Sequence, residues 1–376
     1  MELSDIRLQL DEIDREIVKL YEKRMDLAKE VAKSKMATGK NVYDKTREAE
    51  KLATVSGLTS SDFNAKGITE LFEQIMAISR KLQYKLIAEE NGDAEKRLPF
   101  IGVDSLNPDA RVVFQGAEGS YSEAATYKFF GPDVKAFHVD TFRATMIALE
   151  EGSADYAVLP IENSTAGVVS EIYDLLAEFE HFIVAEQVIP IRHCLMAPEG
   201  ASIETIKTVF SHPQSLMQSE HYLREHANWK QVSMKNNAFA AKKVSEEKDI
   251  TQAAIAGERA AEIYGLQILK EGVNHSDSNS TRFIIVTNQK VYLKDAKKIS
   301  LCFEIPHECG SLYQLMSHFF YNDLNLTKIE SRPIVGKNWE YRFFIDVEGN
   351  LADSAVKNAL CGLREESVRI RVLGNY

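Results

Sequence analysis

Apolar positions near the N-terminus run Leu3, Ile6, Leu10, Ile13, Ile17, Leu20, Leu27 and Val31, in three-four spacing. That period predicts one long amphipathic helix with a packing stripe. Ser4 is the candidate N-cap and Gly39 the stop. One stripe position is not apolar: Arg24. A guanidinium in a packed stripe is costly unless an anion meets it, and its plainer reading is a side chain snorkelling to the helix edge. Lys35 follows eleven residues later, three turns on and nearly on the same face. Asp44, Arg47 and Glu48 fall at i, i+3, i+4 on the next helix, and Ser79 and Gln83 at i, i+4 on a third, from about 68 to 89. Three helices offering polar groups inward make a site for a small, multiply charged, oxygen-rich ligand. Arg7 lies about 25 Å from Arg24 along the axis and roughly a quarter-turn round. It could reach such a site only from a second copy of the chain, and a helix of about 30 residues needs a partner for its stripe in any case.

The pattern then changes. Residues 91–110 are rich in Gly, Pro, Asp and Asn and read as a linker. From 111 to 290, short β-branched runs alternate with amphipathic stretches: Arg111–Gln115, Ala154–Pro160, Thr208–Ser211, Gln252–Ala256 and Arg282–Thr287. That alternation predicts α/β layers around a largely parallel sheet. A second linker, residues 288–298, leads into a block over 297–376 that reads strand, helix, strand, strand, helix, strand, a ferredoxin-like α+β unit.

Composition narrows the function. With 376 residues the chain has room for two or three domains, and a net charge of −11 argues against nucleic acid as a partner. No apolar run approaches a membrane span, and the acidic, heptad-like N-terminus is unlike a signal or transit peptide. Cys194, Cys302, Cys309 and Cys361 form no CxxC pair. The default expectation is a reduced, cytoplasmic protein without metal or cofactor.

In the central segment, small polar residues gather where strands end: Gly116-Ala117-Glu118-Gly119-Ser120-Tyr121-Ser122, Pro160-Ile161-Glu162-Asn163-Ser164-Thr165-Ala166-Gly167, Ser211-His212-Pro213-Gln214 and Ser280-Thr281-Arg282-Phe283. Open α/β sheets place ligands there. Ser120 or Ser122 can cap a helix and help bind an anion. His212 has neither a triad order nor a nucleophile elbow around it and reads as a turn residue.

The helical segment resembles the all-helical chorismate mutases, on Arg7, Arg24, Lys35, Asp44, Arg47, Glu48, Ser79 and Gln83. The resemblance implies an intertwined dimer with two shared active sites and a pericyclic rearrangement of chorismate to prephenate, which needs no acid, base or nucleophile. By that resemblance Arg7 (from the partner) and Arg24 clamp carboxylates, and Lys35 and Gln83 face the ether oxygen. Asp44 and Glu48 hold the ring hydroxyl, while Arg47 and Ser79 complete the carboxylate shell.

The four central clusters together resemble prephenate dehydratases, which implies two α/β lobes around a cleft, like periplasmic binding proteins, and conversion of prephenate to phenylpyruvate with loss of CO2 and water. Thr281 is then the hydroxyl set against the leaving group. Ser120, Asn163, Ser164, Thr165 and Arg282 are substrate contacts. Glu162 reads equally as a substrate group or a structural carboxylate, and Phe283 as core. The C-terminal block resembles an ACT domain, a module that binds amino acids at a subunit interface. Glu330-Ser331-Arg332-Pro333 and Gly310-Ser311-Leu312 are its two motifs, the second with Ser311 where Ala is usual. Taken whole, the chain resembles the bifunctional enzymes of phenylalanine biosynthesis, which implies chorismate and prephenate as substrates, phenylalanine as an allosteric inhibitor and an even homo-oligomer. An arogenate dehydratase and a catalytically silent amino-acid sensor are the rival readings.

Overall fold

The computed structural model describes residues 2–90, 99–276, 278–308 and 310–376. They form two compact units, residues 1–100 with 297–372 and residues 101–296 with 373–376.

The first unit opens with helix α1 (Leu3–Thr38). Glu2 is its N-cap, so Ser4 sits inside the first turn and does not cap it, whereas Gly39 ends it in a left-handed conformation (φ +67°) as expected of a C-terminal glycine. Within one chain only Ala28 and Ala32 of this helix are buried. The stripe is bare: Leu10, Ile13 and Ile17 are 52%, 55% and 55% exposed. Asp44 caps α2 (Lys45–Ser56), its Oδ1 accepting from the Arg47 N–H at 3.0 Å. It therefore precedes the helix on which the spacing had placed it, because a short carboxylate satisfies the helix-end donors best from the N-cap. Helix α3 (Asp62–Glu90) begins six residues before the predicted 68, with Ser61 Oγ accepting from the Asn64 N–H at 3.3 Å.

The second unit follows as β1 (Ile101–Val103), β2 (Arg111–Gln115), α4 (Tyr121–Phe130), β3 (Lys135–Val139), α5 (Phe142–Glu150), β4 (Tyr156–Asn163), β5 (Gly167–Val168), α6 (Ser170–Glu178) and β6 (Phe182–Pro190). It continues with β7 (His193–Ala197), β8 (Thr208–Ser211), α7 (Pro213–Gln218), α8 (Glu220–Glu225), β9 (Lys230–Ser233), α9 (Asn237–Glu247), β10 (Gln252–Gly257), α10 (Glu258–Tyr264), β11 (Gln267–Lys270), β12 (Ser280–Thr287) and β13 (Val291–Leu293). The strands build two lobes. One sheet runs β6-β12-β4-β2-β3 with β5 on β4, the other β11-β7-β10-β8-β9.

The expectation of a largely parallel sheet is corrected to two mixed ones. Strand β2 is parallel to β3 and β4, and β8 to β9 and β10. Strand β12 runs antiparallel to β4 and β6, and β7 to β10 and β11. Strands joined by right-handed helical crossovers must run the same way. The chain enters β7 and β12 by crossing between lobes, and no crossover fixes their direction.

In β10, Ala253 and Ile255 pack on one face with Leu195 and Val209, while Ala254 and Ala256 pack on the other with Met196 and Phe210. Helices thus cover both faces of this sheet, which is why the strand reads as a continuous apolar run. Both stretches read as linkers contain strand: β1 pairs in parallel with β13, Ile101 opposite Val291. Three-residue strands are too short to impose a period on polar surroundings. Residues 91–98 of the first linker lie outside the described residues, as does Cys309.

The chain closes with β14 (Lys298–Glu304), α11 (Ser311–Phe320), β15 (Leu326–Pro333), β16 (Tyr341–Glu348) and α12 (Ser354–Glu366) in the first unit and then β17 (Arg369–Asn375), in sheet order β15-β16-β14-β17. Helix α12 packs on α3. Among the described residues, no helix is long and apolar enough to cross a membrane.

Candidate active sites

A cavity of about 280 Å³ lies among α1, α2 and α3. Arg24 and Lys35 reach it from α1, Asp44, Arg47 and Glu48 from the start of α2, and Ser79 and Gln83 from α3. These are seven of the eight residues singled out in the helical segment; Arg7 is exposed on α1 and does not line the cavity. Lys35 Nζ donates to the Val42 carbonyl at 2.5 Å, which bends the lysine into the cavity. Burial lowers the pKa of Arg24 and of Lys35, and nearby carboxylates, Glu48 for Arg24 and Asp44 for Lys35, oppose that shift.

Gln83 is 5% exposed; its Nε2 donates to the Ser79 carbonyl and hydroxyl at 3.2 and 3.3 Å. Its Oε1 is buried without a partner. Turning the amide over would direct its N–H donors to where that oxygen now sits. The cavity therefore presents cations to an anionic guest and acceptors to a hydroxyl. A residue that the spacing missed, Arg80, also lines it and is buried. One of its carboxylate partners, Glu366, comes from α12, nearly three hundred residues downstream, so no local pattern could mark that pair.

A larger cavity, about 450 Å³, opens between the two lobes of the second unit. The Gly116–Ser122 turn supplies one wall. Gly119 there has φ +83°, and Ser120 caps α4, its Oγ accepting from the Glu123 N–H at 3.2 Å. Asn163 and Thr281 are opposite each other on β4 and β12 and both face the cavity. Asn163 Nδ2 donates to Thr281 Oγ1 at 2.9 Å. Having accepted that bond, Thr281 has its own O–H to give.

Around this pair, Thr165 Oγ1 lies 2.8 Å from Asn163 Oδ1 and accepts from Gln218 Nε2 at 2.8 Å. Tyr121 and His193, also missed from sequence, line the cavity and are joined at 3.0 Å between the Tyr121 hydroxyl and His193 Nδ1. His193 Nε2 lies 3.0 Å from Gln218 Oε1. Burial lowers this histidine's pKa, which favours the neutral ring. His212 is the N-cap of α7, its Nδ1 accepting from the Gln214 N–H at 3.2 Å, in keeping with the turn reading, and it also faces the cavity. Phe283 is both a core residue and part of the wall.

Four central residues do not line this cavity. Arg282 and Glu162 are neighbours of Thr281 and Asn163 on the same strands, so strand alternation turns them to the opposite face. There Arg282 Nη2 lies 3.4 Å from Glu162 Oε2 and its Nη1 lies 3.2 Å from Glu186 Oε2. Glu162, read equally as a substrate group or a structural carboxylate, is thus placed in an ion pair on the far face. Ser164 ties its loop to β12, accepting from the Ser280 N–H at 2.9 Å, and Thr165 stands behind Asn163.

A third cavity, about 210 Å³, is lined by Gly310, Ser311 and Leu312 at the start of α11, together with Glu308 and Tyr341. Glu330, Ser331, Arg332 and Pro333 lie on β15 and do not line it.

Residues 112–291 match the prephenate dehydratase family and residues 6–84 the chorismate mutase type II family. The bifunctional chorismate mutase/prephenate dehydratase of Buchnera aphidicola is 32% identical over 98% of this chain and 95% of its own. The structure of a prephenate dehydratase from Arthrobacter aurescens in complex with L-Phe is 31% identical with a TM-score of 0.66, over 71% of this chain and 89% of that one. That of GqqA, described as a quorum quenching acylase, is 31% identical with a TM-score of 0.65, over 71% of this chain and 97% of that one. Two catalytic domains in the same order, and a bifunctional relative matched from end to end, place this chain in the bifunctional chorismate mutase/prephenate dehydratase family, an isomerase and a lyase in one polypeptide.

Proposed function

We propose that the cavity among α1, α2 and α3 rearranges chorismate, that the cleft between the lobes converts the resulting prephenate to phenylpyruvate, and that phenylalanine inhibits the enzyme by binding the C-terminal block. The observation that carries the first part is the convergence of Arg24, Lys35, Asp44, Arg47, Glu48, Ser79 and Gln83 on one cavity. Arg24 and Arg47 hold the carboxylates, and Asp44 and Glu48 accept from the ring hydroxyl. Lys35 and a turned Gln83 meet the charge that grows on the ether oxygen as the bond breaks. Each such donor typically contributes about 10²–10³ in rate. Arg7 enters from a second copy packed along the bare α1 stripe, so the functional unit is a dimer or a larger even oligomer.

In the cleft, the electron pair of the breaking bond to CO2 enters the ring, the ring aromatises, and the ring C–O bond departs with its own pair. The leaving hydroxyl becomes water with a proton delivered through Thr281. That residue is a poor acid by itself, so its part is to orient and relay. Asn163 makes this possible by occupying the Thr281 oxygen as donor, which leaves the threonine proton for the leaving group. Ser120 stands at the mouth of α4, where helix-end N–H groups favour a carboxylate.

For the C-terminal block, the βαββαβ order and the cavity at Gly310–Leu312 support an ACT-type amino-acid site. A second copy would have to bring Glu330–Pro333 to it. The Arthrobacter aurescens structure was solved with L-Phe, which favours phenylalanine as this ligand.

The test follows chorismate consumption and phenylpyruvate formation by the purified chain, with and without millimolar phenylalanine. Phenylpyruvate made from chorismate and suppressed by phenylalanine is the expected result. Full turnover with no response to phenylalanine would refute the regulatory part.

A further inference from the structure

Arg80 stands between Ser79 and Gln83 on α3, yet the roles assigned to those residues make no use of it. Its Nη1 donates to both carboxylate oxygens of Glu48, at 2.7 and 2.5 Å. Its Nε donates to Glu366 Oε1 at 2.9 Å, and its guanidinium lies 4.8 Å from the centre of the Tyr43 ring. The Arg80 and Glu366 side chains are each 7% exposed. Glu366 ends α12, and its other oxygen is 3.0 Å from Nε2 of His318 on α11. The adjacent Glu365 accepts from the Tyr43 N–H and from the Tyr84 hydroxyl, both at 3.0 Å.

We propose that Arg80 is a positioning residue for the chorismate rearrangement: held from behind by Glu366 of the C-terminal block, it fixes the Glu48 carboxylate at the cavity wall. The proposal rests on the reading of Glu48 as acceptor for the ring hydroxyl. A carboxylate facing a guest with two carboxylates is repelled, and a free glutamate would swing away from it. A guanidinium fixed behind Glu48 offsets that repulsion and points an oxygen forward, so the geometry is set before substrate arrives. Arginine suits this task because its planar fork can grip two carboxylates at once. A lone buried carboxylate or guanidinium would be costly, so each partner keeps the other in place.

The C-terminal block is thereby part of the mutase site without lining it. Helix α11 runs from the Gly310–Leu312 cavity to His318, which touches Glu366, and an ionic chain leads from Glu366 through Arg80 to Glu48.

Full-length Arg80→Met, Arg80→Lys, Glu366→Gln, Glu48→Gln and the Glu48→Gln/Arg80→Met double variant are assayed for mutase kcat and KM on chorismate. Each is also assayed for dehydratase turnover of added prephenate. Glu366→Gln, which keeps shape and touches no substrate, lowers mutase kcat/KM about tenfold, mostly in kcat. Arg80→Met loses about a hundredfold, and Arg80→Lys recovers at least a tenth of wild-type activity. Dehydratase turnover stays within twofold in the single variants. If Arg80 acts through Glu48, the double variant is little worse than Glu48→Gln alone.

Mutase kcat/KM of Glu366→Gln within twofold of wild type overturns the proposal, as does a double variant in which the two losses multiply. If Arg80→Met loses both activities together, it has failed to fold, and Glu366→Gln and Arg80→Lys decide the matter. An unimpaired Glu48→Gln would instead remove the reading of Glu48 itself.

Discussion

At Gly119 the two lobes of the dehydratase unit approach closely, and replacing it with alanine tests whether catalysis depends on that approach. A Cβ built there lies 2.9 Å from the Ala260 Cα, 3.1 Å from the Ala260 Cβ and 3.4 Å from a Tyr264 ring carbon. The nearest atom is backbone, so no flexible tip can move aside. Gly119 also has φ +83°, a region that costs an L-residue about 1–2 kcal/mol. Overpacking of this kind typically adds about 1–3 kcal/mol. Nearby contacts hold the lobes together, with Tyr264 Oη donating to the Glu118 carbonyl at 2.9 Å and Arg259 Nε to Glu123 Oε2 at 2.7 Å. The same Glu123 oxygen accepts from the Gly119 N–H at 2.9 Å.

A total of about 2–5 kcal/mol against this arrangement of the lobes corresponds to a loss of roughly 30- to 5000-fold in dehydratase kcat/KM. The assay is phenylpyruvate formation from added prephenate, with chorismate consumption by the same preparation as internal control. The mutase cavity shares no residue with this turn, so its activity is expected unchanged. Dehydratase kcat/KM within threefold of wild type, with an unshifted melting temperature, would refute the reasoning.

Other substitutions probe separate links. Lys81 is buried on α3 with its Nζ 4.3 Å from the centre of the Tyr321 ring, and burial pushes its pKa down to about 8. Between that value and the usual 10.5 the folded chain binds fewer protons than the unfolded one, so stability rises with pH across the window, and below it the penalty is complete. Lys81→Met therefore stabilises at pH 7 by up to about 3 kcal/mol, and urea melts should show the gain fading by pH 10; an equal gain at both would count against it. Ile13→Arg with Ile17→Arg puts charge on the bare α1 stripe. Light scattering is expected to show smaller assemblies, with mutase activity lost at least a hundredfold because Arg7 no longer arrives; unaltered activity would exclude a shared site. Asn163→Ala frees the Thr281 hydroxyl to turn elsewhere and should cost about 10–100-fold in dehydratase kcat, while Thr281→Ser, which keeps the oxygen, costs less. Equal losses in the two would separate Asn163 from Thr281.

Much of the chain was legible from its residues. The α1 stripe and its stop at Gly39 follow from local period and backbone freedom, as do Arg111–Gln115 and Thr208–Ser211, whose strands begin and end at the residues expected. Most of the residues that line the helical cavity were readable because helical spacing fixes which side chains share a face, and three helices converge on that cavity. Short strands surrounded by polar residues, such as Ile101–Val103, left no such trace.

Tertiary structure decided whatever depends on distant partners. Strand alternation puts Glu162 and Asn163, and likewise Arg282 and Thr281, on opposite faces, but only the packing of the lobes decided which face meets the cavity and which an ion pair. Arg80 looks like any surface arginine until α12 brings Glu366 to it. A periodic pattern records which face of an element is buried; it cannot record what buries it, because that partner is set by how the chain returns on itself.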